Sequence, residues 1–254
     1  MAAILEVRGL TKRFGRVQAL NGVDFEAHAG SVVALLGDNG AGKSTLIKTI
    51  AGVYQPDGGE IWFDGRKVSV PSPRAASDLG IETVYQDLAL CDNLNVIQNL
   101  FLGRERRTPN IPFLDRFLDH RRMRKEAADV IQQLGSNLPS LFNQIGALSG
   151  GQRQAVAVAR ALIWGSKLVM LDEPTAALGV QQTANVQSLV RRLRDRGVGV
   201  VLITHNLVDA FALADRIVVL RQGVKIAEMD PQTTTPEAVV GAITGGSLVA
   251  RAHA

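Results

Sequence analysis

A short apolar strand spanning 31–36 runs directly into Gly37-Asp38-Asn39-Gly40-Ala41-Gly42-Lys43-Ser44, and an amphipathic helix over 43–51 follows. This strand, loop and helix limit the chain to an α/β architecture. A strand with no polar face must be covered on both sides, which a parallel sheet between helices achieves. The octapeptide fits G-x-x-x-x-G-K-[ST]. Its glycines let the backbone N–H groups wrap a polyphosphate. Lys43 would lie along the β- and γ-phosphates, and the Ser44 hydroxyl would ligate Mg²⁺.

The same alternation continues along the chain. Apolar runs over 168–171 and 198–204 read as two more buried strands, and 181–196 between them is a helix with Val186, Leu189, Val190 and Leu193 on one face. Before the loop, 5–10 and 17–26 read as antiparallel strands that 60–63 continues, with Asp64-Gly65 as a turn. From 88 to 165 the pattern changes to helices over 93–102, 122–134 and 150–163, with an irregular connection over 104–119 carrying Pro109 and Pro112. A helix over 207–213, two short strands around Gly223 and a helix over 236–243 close the chain before a small, polar tail from Gly245. The expected organisation is an α/β core from 1–87 and 166–254, with a helical subdomain inserted over 88–165.

Further residues suit the same phosphate chemistry. Asp172 ends an apolar strand expected beside the loop-bearing one, where a carboxylate can hold Mg²⁺ through water. Glu173 reaches one residue further, where it can orient and deprotonate an attacking water. Ser149 is placed to cap a helix that begins at Gly150-Gly151, a second anion site. It stands too far along the chain to share Lys43's phosphate within one molecule. Two copies paired head to tail would bury two nucleotides in a two-fold interface. Gln86, after the strand 81–85, can reach Mg²⁺ or the lytic water. His205, after the strand 198–204, can bond the γ-phosphate and hold Glu173.

Composition excludes other classes. Lys+Arg of 28 against Asp+Glu of 24 gives a net charge of only +4, too even a balance to argue for nucleic-acid binding. The basic run from His120 to Lys125 reads as a solvated helix face. Cys91 is the only cysteine, so no internal disulfide forms. No apolar run approaches the roughly 20 residues that cross a bilayer, and the N-terminus reads as a strand rather than a signal peptide. A cytoplasmic protein is expected.

The ordered set resembles the ATP-binding subunits of ATP-binding-cassette (ABC) transporters over essentially the whole chain, and implies a P-loop NTPase core with a RecA-like parallel sheet and an antiparallel β-subdomain. By this resemblance Walker A is Gly37 to Ser44, with Thr45 following. The Q-loop is at Gln86, the signature is Leu148-Ser149-Gly150-Gly151-Gln152, Walker B ends at Asp172 with the catalytic Glu173 after it, and the switch histidine is His205. Phe14 matches the aromatic position that stacks on adenine. Gly37 to Lys43, Ile81 to Gln86, Asn99 to Glu105 and Asp172 to Val180 are similar to bacterial sugar importers of the ribose, xylose and fructose type, most of all the fructose type. Gly179 departs from the aspartate usual in the D-loop. The resemblance implies a homodimeric ATPase with ATP and Mg²⁺, peripheral on the cytoplasmic face of the inner membrane. Its partners would be an integral-membrane permease and a periplasmic sugar-binding protein, and no nucleic acid. The alternatives are a soluble, non-transport ABC ATPase such as a cofactor-assembly factor, and a regulator that binds nucleotide without turnover.

Overall fold

The computed structural model describes residues 3–108, 117–136, 138–176 and 178–246, which fall into two compact units. The first comprises Met1–Thr83, Lys167–Glu173 and Leu193–Ala254; the second comprises Val84–Ser166 and Pro174–Arg192. Pro109, Pro112, Ala177 and the tail beyond Gly246 lie outside the described residues.

Along the chain, β1 (Ala3–Phe14) and β2 (Val17–His28) form a hairpin, and β3 (Val32–Leu36) leads through the glycine loop into α1 (Lys43–Ile50). Next come β4 (Gly58–Phe63), β5 (Arg66–Val68), α2 (Pro73–Leu79) and β6 (Ile81–Val84). The helical stretch supplies α3 (Val96–Phe101), α4 (His120–Gln133) and α5 (Gly150–Ile163). After β7 (Leu168–Asp172) and α6 (Val180–Asp195) follow β8 (Gly199–Ile203), α7 (Leu207–Leu213), β9 (Arg216–Arg221), β10 (Val224–Met229) and α8 (Pro236–Thr244).

Two sheets result. One is antiparallel, in the order β2-β1-β4-β5; the other has the order β10-β9-β3-β8-β7-β6. In the second sheet β3 pairs in parallel with β8 on one side and β9 on the other, and β8 pairs in parallel with β7. Every residue of β3 and β8 is buried, as continuous apolar runs require. The expectation that the Asp172 strand lies beside the loop-bearing strand is corrected here. The chain leaves β7, crosses through α6 and returns as β8 into the slot between them. Asp172 therefore pairs across to Ile203, not to β3. A single core holds both sheets and α1 together: Leu5, Phe25 and Phe63 from the antiparallel sheet meet Leu46 and Ile50 of α1 and Leu35, Met170 and Val201 of the parallel one.

Local signals explain several boundaries. Asn95 caps α3 in a reciprocal box with Gln98, so this helix starts at Val96 rather than at 93, where its apolar pattern suggests. Within the second unit α3, α4 and α5 pack on one another. Asn99 is fully buried there, and its amide donates to the carbonyls of Cys91, Leu94 and Asn95 while its oxygen accepts from the Cys91 N–H. The expected apolar face of α6, Val186, Leu189, Val190 and Leu193, is buried.

Candidate functional site

The loop between β3 and α1 is backed by the turn joining β9 and β10. A Cβ on Gly37 would collide with the Leu220 carbonyl oxygen, and one on Gly42 would come within 2.7 Å of the Ala19 carbonyl, so both positions require glycine. Gly42 precedes α1 at φ 102° and offers no side-chain cap, leaving the helix N-terminus open to an anion. Lys43 is buried and turns back on the loop, its Nζ donating to the Gly37 carbonyl at 2.7 Å and the Asp38 carbonyl at 3.1 Å. Burial lowers its pKa, and the charges of Glu173, Asp38 and Asp172 oppose that shift.

These groups open on a cavity of about 530 Å³, lined by Asp38 through Thr45 on one side and by Asp172 and Glu173 on the other. Ser44 and Asp172 are both among its lining residues. Among the described residues no group of three or more His, Cys, Asp or Glu side chains could hold a metal alone. One hydroxyl and one carboxylate still fit Mg²⁺, which keeps waters and takes phosphate oxygens for its remaining positions.

Glu173 has a left-handed backbone, φ 48°, at a residue that is not glycine. Its N–H donates to the Ile203 carbonyl at 2.9 Å, and its Oε1 lies 2.9 Å from His205 Nδ1. Strain of this kind persists where surrounding bonds over-determine it. The bond between neighbouring strand ends and the imidazole contact are two such bonds, and together they aim the carboxylate.

Asp172 carries a raised pKa, first because it is buried and then because the Glu173 charge repels its own; Lys48 and Lys43 partly offset both. A carboxyl raised above its unfolded value of 3.8 contributes its full stability only below that value and loses it as pH rises through the folded pKa. At neutral pH the ionised Asp172 therefore destabilises the nucleotide-free chain. Asp172→Asn is expected to raise the melting temperature at pH 7, with the gain shrinking as the pH approaches about 4. Scanning calorimetry across that range tests it; an unchanged or lowered Tm at pH 7 would count against the repulsion.

Phe14 ends β1 in the first unit. It pairs in register with Val17, which lines the cavity, and its ring is half-exposed. Tyr54 meets it edge-on at 5.0 Å between centroids, and the Lys12 ammonium lies 5.6 Å from its centre. Tyr54, and with it the lining residues Gln18, Ala19, Ile203 and Gln222, went unmarked in the sequence. Gln222, at φ 49°, and Gly223, at φ 76°, form the turn between β9 and β10, and Gly223 is the part of that signal the sequence did carry.

The other expected site residues lie in the second unit. Gln86 is exposed in a turn closed by the Leu88 N–H on the Tyr85 carbonyl. Ser149 caps α5 reciprocally with Gln152, its own N–H donating to Gln152 Oε1 at 3.0 Å. A Cβ on Gly150 would come within 2.9 Å of the end of the Leu178 side chain, whereas one on Gly151 would make only ordinary contact with Gln182 at 3.5 Å, so packing alone does not demand glycine at 151. Gln182 also accepts from the Gly179 N–H at 3.2 Å, so the start of α6 is capped from within.

Comparison with known proteins places the chain in a family. The ABC transporter family profile matches residues 20–176. The xylose/arabinose import ATP-binding protein XylG of Sulfolobus acidocaldarius is 46% identical over 248 residues, 98% of this chain and 96% of that protein. The fructose import ATP-binding protein FrcA of Rhizobium meliloti is 47% identical over 244 residues, 95% of this chain and 94% of that protein. Among solved structures, the ADP conformation of MJ1267, an ATP-binding cassette of an ABC transporter, superposes with a TM-score of 0.81 at 26% identity, covering 97% and 96% of the two chains. The cassette MJ0796, dimeric in a post-hydrolysis state with ADP and Pi, gives 0.74 at 25% identity over 91% of this chain and all of that one.

Proposed function

The chain belongs to the ABC transporter family, and from that premise we propose that it is the ATP-hydrolysing subunit of a sugar importer, with a fructose-like monosaccharide as cargo. The observation that carries this reading is the cavity lined by Lys43, Ser44, Asp172 and Glu173, with His205 bonded to Glu173. Asp38, Asn39, Gly40, Ala41, Gly42 and Thr45 complete its phosphate-facing wall. The similarity to XylG and FrcA over nearly their full lengths supports the cargo class.

In this reading the loop from Gly37 to Thr45 holds the triphosphate and Phe14 receives the base. Ser44, Asp172 and Gln86 would hold Mg²⁺, which would supply charge neutralisation to the phosphates. Glu173 orients the attacking water and takes its proton; His205 holds that carboxylate through Nδ1 and would bond the γ-phosphate. Ser149, Gly150, Gly151 and Gln152 of a second copy close over the γ-phosphate, so that two copies share two nucleotides. The dimeric state of MJ0796 supports that pairing.

The subunit would act at the cytoplasmic face of the cell membrane, bound to a permease that receives sugar from an extracytoplasmic binding protein. No helix among the described residues is long and apolar enough to cross a membrane, so attachment would come through that permease. Tagged chain extracted in detergent from native membranes is expected to bring down a polytopic permease and a sugar-binding protein, identified by mass spectrometry. Recovery only in the soluble fraction, alone or with assembly factors, would leave the ATPase and remove the transport reading.

A further inference from the structure

The turn that carries Gln86 ends in two residues with left-handed backbones, Leu88 at φ 60° and Ala89 at φ 46°. Neither is glycine, and each such residue is disfavoured by contact between its Cβ and its own backbone. A consecutive pair is therefore held by something outside the turn. The Arg160 guanidinium supplies it: one terminal nitrogen donates to the Ala89 carbonyl at 2.8 Å and the other to the Leu88 carbonyl at 3.1 Å. The planar fork of arginine suits two adjacent carbonyls, a geometry that lysine's single ammonium cannot reproduce.

The fork is itself oriented. Arg160 lies 5.7 Å from the centre of the Trp164 ring, whose Nε1–H donates to the Leu100 carbonyl at 3.2 Å and whose ring also carries Arg104 at 4.7 Å. Arg160 stands in the last turn of α5, and the same helix starts at Ser149. At about 1.5 Å per residue, the signature end and the arginine are roughly 15 Å apart on one rod.

We infer that Arg160 is a positioning residue for hydrolysis: it holds the Gln86 turn in its strained form and ties that form to the helix that begins at the signature. This rests on the proposed role of Gln86 at Mg²⁺. With the clamp, Gln86 is presented in one backbone arrangement; without it, Leu88 and Ala89 relax to negative φ and the glutamine is displaced. ATP affinity depends on the loop around Lys43 and stays constant. Turnover and the response to Mg²⁺ change.

The test uses the full chain, measuring ATP affinity, kcat and the Mg²⁺ concentration for half-maximal turnover. Arg160→Ala is expected to keep its ATP Kd, lose roughly tenfold in kcat and need several-fold more Mg²⁺. Arg160→Lys should fall between the two, and covers the case in which alanine destabilises α5. The discriminating variant adds Leu88→Gly and Ala89→Gly to Arg160→Ala, since glycine adopts the left-handed conformation without penalty. It is expected to recover most of the lost kcat. A loss that the glycines leave untouched would make Arg160 a prop for α5 and overturn the inference. So would wild-type turnover in Arg160→Ala alongside a loss in Gln86→Ala. Wild-type turnover and Mg²⁺ response in Gln86→Ala would remove the Gln86 role itself, and the inference with it.

Discussion

Glu173→Gln is expected to lower ATP turnover by about 10²- to 10⁴-fold while leaving ATP binding intact. The side chain keeps its shape, so the contact with His205 Nδ1 at 2.9 Å can persist through the amide oxygen. The backbone is equally indifferent: the left-handed φ and the N–H bond to Ile203 do not depend on the side-chain terminus. What disappears is the capacity to accept a proton from water. With hydrolysis stopped and binding preserved, the ATP-bound form should accumulate. Gel filtration in Mg²⁺ and ATP is then expected to show a dimer where the wild-type chain shows a monomer or a mixture. A variant that stays monomeric under saturating ATP would count against the shared-site arrangement. One that hydrolyses at the wild-type rate would take Glu173 out of the chemistry.

Lys43→Ala is expected to weaken ATP binding by at least about 100-fold, since charge-assisted bonds to phosphate in a partly buried site are among the strong ones. Two losses combine. The ammonium that would meet the β- and γ-phosphates is gone, and so are its bonds to the Gly37 and Asp38 carbonyls that fix the loop. The neighbouring acids also feel the change. Lys43 is one of two cations that hold down the raised pKa of Asp172, and only Lys48 remains to do so. An ATP phosphate would then meet Asp172 and Glu173 with less compensation. Titration calorimetry reads the affinity, and retention of near-wild-type binding would contradict the role given to the loop.

What could be read in the sequence was what local pattern encodes. The fully apolar strands, the glycine loop and the Ser149 cap are set by residues adjacent in the chain, and the structure has them where they were expected. The helix α2 was not foreseen. It buries only Ala76 and Ser77, so it lacks an apolar stripe, although Ser72, Pro73 and Gly80 mark its two ends. The order of strands was less accessible still. Nothing in Leu168 to Asp172 states that β8 intervenes between it and β3, because parallel neighbours are chosen by the crossover and not by the strand. The contacts that hold Phe14, Glu173 and the Gln86 turn share this difficulty. Tyr54, Ile203 and Arg160 each act across 30 residues or more, at separations no short pattern reports.

The position of β3 between β8 and β9 also fixes when the site can come into being. Val33 pairs with Val201 on one side and Arg216 on the other. During synthesis the strand that carries the phosphate loop therefore emerges early, wholly apolar, and has neither neighbour until β8, which begins at Gly199, and then β9, which begins at Arg216, have been made. Such late, long-range pairing is slow and leaves a sticky edge exposed in the meantime. A ribosome-bound chain ending before β9 would carry Lys43, Asp172 and Glu173 and still possess no completed cradle. Translation makes the parts of the ATPase in one order, and the sheet admits them to function only at the end.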